Sequence, residues 1–258
     1  PVFSDKHLGP VWSDAQWMYR RASEMKIPFM AGSSLPVTWR YPAKELPLGS
    51  AVEQALVVGH SMSESYLFHA LEALQCIVER RRGSETGVAA VTAMRGQKIW
   101  DAEKRGDWSR SLLKAALRSL GASTDKLDEQ IRDPSTVFFL IEHRDGLKVT
   151  GAMIRGATSP MPPKYSCNLA VACRSESRTR PFSWRMKTPG IPFPHFAELL
   201  RGIEHMVHTG EPAYPVERTL LTTGVLDRLM HSMHPQKEKR LLSPELAIRY
   251  ETPRWGFA

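Results

Sequence analysis

PVFSDKHLGPVWSDAQWMYRRASEMKIPFMA, residues 1–31, is the stretch that decides the fold. Pro1 to Phe3 reads as a short buried strand. Ser13 is placed to cap a helix running to Lys26, with Ala15, Met18, Ala22 and Met25 on one face. Pro28-Phe29-Met30-Ala31 reads as a second strand. Strand, helix and strand at this spacing predict a βαβ unit with parallel pairing. An apolar strand at the first residue, with no initiator Met, reads as a fragment or processed chain that opens in the last part of a parallel sheet.

Outward from this unit, the Pro-rich stretch from Ser33 to Gly49 predicts an ordered connector. Gln54 to Val58 reads as a strand and Glu64 to Arg82 as a helix. On that helix Leu67, Ala70, Leu71, Leu74, Ile77 and Val78 form one apolar stripe. Val88 to Met94 is a strand, Gln97 to Leu120 two helical segments around Gly106, and Asp125 to Asp133 a polar connector with helical character. Then the pattern turns β-rich. Val137 to His143, Leu147 to Ile154, Lys164 to Cys173 and Arg180 to Met186 predict an antiparallel meander, with a hairpin at Arg144-Asp145-Gly146. Two helices close the chain: His195 to His208 ending at Gly210, and a second with Pro215 at its first position. His231 to Arg240 reads as polar and solvated. The predicted class is α/β, the tail of a Rossmann-type parallel unit (residues 1–45) followed by an α+β domain (46–258). That domain would carry an open, mainly antiparallel sheet covered by helices.

At 258 residues, 42% hydrophobic and 24% charged, the composition is that of a soluble globular protein, not a disordered, fibrous or membrane chain. No apolar run reaches the roughly 18 residues of a membrane helix, and no signal peptide is evident. The three cysteines lack paired spacing, which fits a reducing, cytoplasmic setting. No His/Cys or His/Glu spacing suits a metal. The net charge of +8 fits a polyanionic partner or simply a basic surface. Its densest runs are Glu79 to Arg82, at a helix end, and Arg174 to Lys187, where Phe182 and Trp184 interleave with arginines. The second run has the residue types of a single-stranded nucleic-acid site, without any recognition motif beside it.

Four residues carry candidate chemistry. Lys6 follows the first strand, and α/β proteins place ligands at the carboxyl ends of parallel strands. His69 and Glu72 lie three apart on the predicted helix, opposite the apolar stripe, where they form a candidate acid/base couple. His60, just past a strand and Gly59, faces the same end of the fold. No Gly-x-Gly-x-x-Gly, Walker loop, Gly-x-Ser-x-Gly or His-Glu-x-x-His occurs.

With these residues in view, the chain resembles the glucose–fructose oxidoreductase / inositol dehydrogenase / MocA family, in a divergent bacterial form shortened at its N-terminus. Pro1 to Lys6 is similar to that family's strand and Glu-Lys-Pro turn. Trp12 to Met25, Pro28 to Ala31 and Thr38-Trp39-Arg40 follow in its order. Gln54 to Gly59 and the helix carrying His69 are similar to its strand and Asp-x-Gly-x-His-x-x-Asp helix, and Phe196 to Ser232 to its closing helices. His7 stands in place of Pro, Leu67 in place of Gly, and Glu64 lies five residues before His69 instead of four. The resemblance implies an NAD- or NADP-dependent oxidoreductase acting on a sugar or polyol hydroxyl. Lys6 and His69 would be catalytic, Lys6 also touching the cofactor, and Arg40, His60, Tyr66 and Glu72 would bind substrate. It further implies a homo-oligomer formed through the open sheet. A non-catalytic carbohydrate-binding or assembly scaffold is the alternative, motivated by the departures at His7 and Leu67.

Overall fold

The computed structural model describes residues 1–60, 63–156, 169–176, 179–234 and 237–256. Strand β1 (Val2–Asp5), helix α1 (Trp12–Glu24) and strand β2 (Phe29–Gly32) form the βαβ unit, with β1 and β2 parallel. β1 is an outer strand and not a buried one: it pairs β2 alone and leaves Val2 45% exposed. Ser13 does not cap α1. The helix starts a residue earlier, after extended Val11, whose carbonyl accepts the first helical amides.

The remaining strands make one eight-stranded sheet. In chain order they are β3 (Arg40–Tyr41), β4 (Val52–Gly59), β5 (Val88–Met94), β6 (Val137–His143), β7 (Lys148–Met153), β8 (Ala170–Ser175), β9 (Phe182–Met186) and β10 (Leu241–Leu242). Across the sheet the order is β10-β5-β6-β7-β4-β8-β9-β3. It is open and mainly antiparallel, with one parallel pair, β4 on β7. The expected meander is therefore interrupted, because β4 inserts between β7 and β8. The part of the predicted third β segment before Leu169, with Cys167, lies outside the described residues. β3 precedes residue 45 yet joins the large sheet through β9. Gly151 on β7 faces Phe139 on β6, and a Cβ there would sit 1.9 Å from the Phe139 ring, so only glycine fits.

Both faces of this sheet are covered. On one, helix α2 (Glu64–Val78) packs between the sheet and helix α7 (Glu217–Met233), so α2 is buried on two sides and not along one stripe. α2 stops at Val78, short of the predicted Arg82, and the chain turns through Arg80 and Arg81. On the other face lie α3 (Gln97–Lys104), α4 (Arg110–Ser119) and α5 (Leu127–Arg132). Their Ile99, Leu112, Leu113, Leu117 and Ile131 bury Leu56, Val58, Phe138, Leu140 and Ala172 of the sheet. The sheet is thus open and covered by helices, as expected from sequence.

The closing helices begin later than expected. α6 (Phe196–Thr209) ends at left-handed Gly210 as predicted. Pro215 lies outside α7, its carbonyl accepting the Arg218 amide. The tail is not simply solvated, since Ser232 and Met233 are buried and Leu241–Leu242 pairs with β5.

Parts of the two basic runs are built into the structure, while Arg82 and Arg180 stay exposed. Arg81 is buried, bonded to Glu85 at 3.1 and 3.2 Å and to Asp145 at 2.7 Å. Arg218 grips Glu79 with two bonds of 2.9 and 2.5 Å, and Tyr250 donates to the same carboxylate at 2.7 Å. In the second run Trp184 is fully buried and donates to the Lys44 carbonyl, with Phe182 edge-on to it at 4.4 Å. The Trp184 face, turned into the core, is not available to stack on bases. Among the described residues no helix is long and apolar enough to cross a membrane.

Candidate functional site

A cavity of about 410 Å³ opens where β1, β2 and β4 end. Lys6 enters from the end of β1, Ser34 from just past β2, His60 from just past β4, and Tyr66 and His69 from the first turns of α2. The far wall is the segment joining β9 to α6, with Thr188, Gly190, Phe193, His195 and Phe196. Strand carboxyl ends converge here because β1 and β2 run parallel, so their following loops emerge on one side.

Lys6 reaches the cavity through its backbone. Its φ of 70° is left-handed, a conformation that costs a β-carbon residue free energy. The turn is held by the Lys6 amide donating to the Gly32 carbonyl at 3.2 Å. Phe193, on the opposite wall, is also left-handed, at 59°. The Lys6 ammonium donates to both Asp5 oxygens, at 2.9 and 2.8 Å, so its charge is locally matched. Among the described residues, no Asp or Glu lines the cavity.

Three imidazoles line the space. Burial pushes His69 down to about 4, Lys6 pushes the same way, and Asp5 opposes them. His69 is therefore neutral at pH 7, and its buried Nδ1 has no partner among the described residues. Burial also lowers His60, whose buried Nδ1 is likewise unpartnered and whose ring meets Tyr66 edge-on at 4.3 Å. Burial lowers His195, partly offset by its bond to the Pro189 carbonyl. Unpartnered buried imidazole nitrogens next to a cavity are what a hydroxylated ligand would satisfy.

Two expected site residues stand elsewhere. Glu72 does not meet His69: it is fully buried between α2 and α7, accepting from the Ser33 amide at 3.2 Å and the Thr222 hydroxyl at 2.9 Å. The reason is the second buried face of α2, which places Glu72 inside the fold. Arg40 is 3% exposed, donates to the Pro36 carbonyl at 2.9 Å and does not line the cavity. It sits at the inner end of the connector, 3.9 Å from Glu45. His7, which replaces the family proline, ties the loop after β1 to α2. Its Nδ1 donates to the Gly9 carbonyl at 2.9 Å and its Nε2 lies 3.5 Å from Glu64.

Sequence reasoning missed the wall made by Thr188, Phe193, His195 and Phe196. The signal was present in Pro189-Gly190-Ile191-Pro192-Phe193-Pro194-His195, a rigid segment carrying an aromatic residue and a histidine into a helix start. Among the described residues no group of three or more His, Cys, Asp or Glu is placed to hold a metal ion.

No family model matches the chain. No curated protein matches it either. Solved structures do. A probable dehydrogenase from Thermotoga maritima superposes with a TM-score of 0.57 at 12% identity, over 95% of this chain and 73% of that one. Scyllo-inositol dehydrogenase from Lactobacillus casei, solved with NAD(H) and scyllo-inositol, gives 0.55 at 10% identity, over 93% and 72%. An oxidoreductase from Agrobacterium radiobacter, solved with NAD+, L-tartaric acid and magnesium, gives 0.52 at 13% identity, over 94% and 72%. The chain thus has the fold of dehydrogenases of the glucose–fructose oxidoreductase, inositol dehydrogenase and MocA type. Its eight-stranded sheet matches their C-terminal domain.

Proposed function

We propose that the protein is an NAD(P)-dependent oxidoreductase that oxidises a hydroxyl of a sugar or polyol held between Lys6 and His69. The observation that carries this reading is the convergence of Lys6 and His69 on one cavity at the carboxyl ends of the parallel strands. His69 is held neutral, the state in which an imidazole accepts a proton. The Lys6 ammonium donates to the substrate oxygen and stabilises the alkoxide that develops as His69 takes the hydroxyl proton. His60 and Tyr66 contact the remaining hydroxyls. When bound, a nicotinamide ring supplies the hydride acceptor.

The residues present suit the reacting end of such a cofactor, where Lys6 would lie against the nicotinamide. Among the described residues, the β1–α1 crossover does not supply a grip for its pyrophosphate. The crossover from β1 to α1 carries Asp14 in the first helical turn, where an anion is repelled. The Leu8 amide in that loop is already donated to the Thr223 hydroxyl at 3.0 Å. The departures at His7 and Leu67 from the family pattern favour a second reading, a carbohydrate-binding protein of dehydrogenase fold without turnover. NADH fluorescence separates the two: saturable NADH binding by the full-length protein removes the scaffold reading. Within the first reading, His69→Ala lowers the oxidation rate about 10²–10⁴-fold. An unchanged rate would refute the role of His69.

A further inference from the structure

We infer that His195 is a ligand-binding residue, its Nε2 accepting a hydrogen bond from a substrate hydroxyl on the wall opposite Lys6 and His69. The inference rests on the polyol reading above and adds a residue and an orientation to it.

The geometry fixes the tautomer. His195 Nδ1 lies 3.1 Å from the Pro189 carbonyl oxygen, which can only accept. The proton of the neutral ring therefore sits on Nδ1, and Nε2 keeps its lone pair. No described residue bonds Nε2, while the ring itself lines the cavity. The ring is held still. It lies against Phe196, with centroids 4.4 Å apart, and meets Phe193 edge-on at 6.1 Å. The residue is only 8% exposed, so its orientation is set by packing and not by solvent.

The wall behind it is anchored at its start. The Lys187 amide donates to the Trp39 carbonyl at 2.8 Å and the Thr38 hydroxyl donates to the Lys187 carbonyl at 3.0 Å, pinning the segment where it leaves β9. The Phe193 amide donates to the Gly190 carbonyl at 2.8 Å, closing the turn that carries the left-handed phenylalanine. A strained residue held by such bonds on a cavity wall is the pattern of a ligand clamp. Aromatic carbons of Phe193 and Phe196 beside one imidazole acceptor suit a hydroxylated ring, whose C–H face packs on carbon while an equatorial hydroxyl donates to Nε2.

The test uses the protein labelled with ¹⁵N-histidine, and myo-inositol, scyllo-inositol and D-glucose as probes. The free protein should give His195 as the Nδ1–H tautomer, and a bound probe should shift its Nε2 resonance. His195→Phe should weaken probe binding about fivefold to tenfold, the scale of one neutral hydrogen bond, while His69 still responds. His195→Gln, whose amide oxygen reaches the Nε2 position, should bind within about threefold of the parent by the same reasoning. An Nε2–H tautomer, an unmoved His195 signal while His69 shifts, or unchanged affinity in His195→Phe overturns the assignment and leaves the polyol site standing. If none of the three probes binds, the polyol reading falls and this inference with it.

Discussion

Glu72 shows how one carboxyl can be structural and titratable at once. Burial raises it to about 7, against the lowering effects of Arg218, Ser33 and Thr222. Its folded value lies above its unfolded one, so the folded state holds the proton longer. The stability it contributes is complete below the ordinary carboxylate range and is lost as pH rises through about 7. Glu72→Gln removes that dependence. Between pH 5 and 8 the parent should lose about 3 kcal/mol relative to the variant in denaturant titrations. Parallel pH profiles would contradict this. Gly32 belongs to the same contact: its φ is 116°, and a Cβ would lie 2.6 Å from a Glu72 oxygen. His69 has the opposite shift, so the acid limb of the oxidation rate should lie well below the 6.5 of a free imidazole and near 4, read from kcat/KM against pH. A limb at 6.5 would mean that His69 is not the base. Lys6 and His69 were legible as candidates because strand ends and helix faces have fixed periods. Glu72 was misplaced because three-residue spacing says which side chains are neighbours on a helix, not how many faces that helix buries.

At the scale of elements, α2 and α7 are joined by charge as well as by apolar contact. The Arg218–Glu79 pair is buried on both sides, at 4% and 1% side-chain exposure. Tyr250 ties it to Gln75, and Gln75 donates to Glu85 at 2.7 Å. Removing one partner of such a pair strands the other without solvent. Arg218→Met should cost about 3–5 kcal/mol in unfolding free energy. A loss under about 1 kcal/mol, the range of exposed pairs, would show that solvent reaches Glu79. The apolar stripe of α2 gave the helix itself from sequence. Its partner was hidden, because Arg218 and Thr222 lie about 140–150 positions away in the chain and no local period links them to Glu79 and Glu72. Two-residue strands such as β3 and β10 are similarly invisible: they exist only through pairing with β9 and β5.

For the whole molecule, the α3–α5 layer decides which surfaces remain free. It covers the sheet face by packing Leu113 and Leu117 in one cluster with Phe138 of β6, all fully buried. A charge placed there must be desolvated against apolar carbon. Leu113→Asp should therefore lower the melting temperature sharply, at about 3 kcal/mol or more. The mass by light scattering of what remains folded should match the parent. Dissociation of an oligomer with an unchanged melting temperature would instead make this face an intermolecular one. The βαβ opening and the β-rich second half set the class of the fold from sequence. The helical cover of the sheet was expected too; which helices take which face was not legible, since α3–α5 read as ordinary amphipathic segments.

The central claim is that Lys6 and His69 face one hydroxyl in a cavity built for its oxidation. The most direct measurement is the rate of NADH or NADPH formation by the protein with cyclitols and hexoses, beside the His69→Ala variant. The account predicts turnover of at least one polyol, reduced about 10²–10⁴-fold in the variant. Equal rates in the two proteins, or no reduced cofactor formed from any polyol, would contradict it.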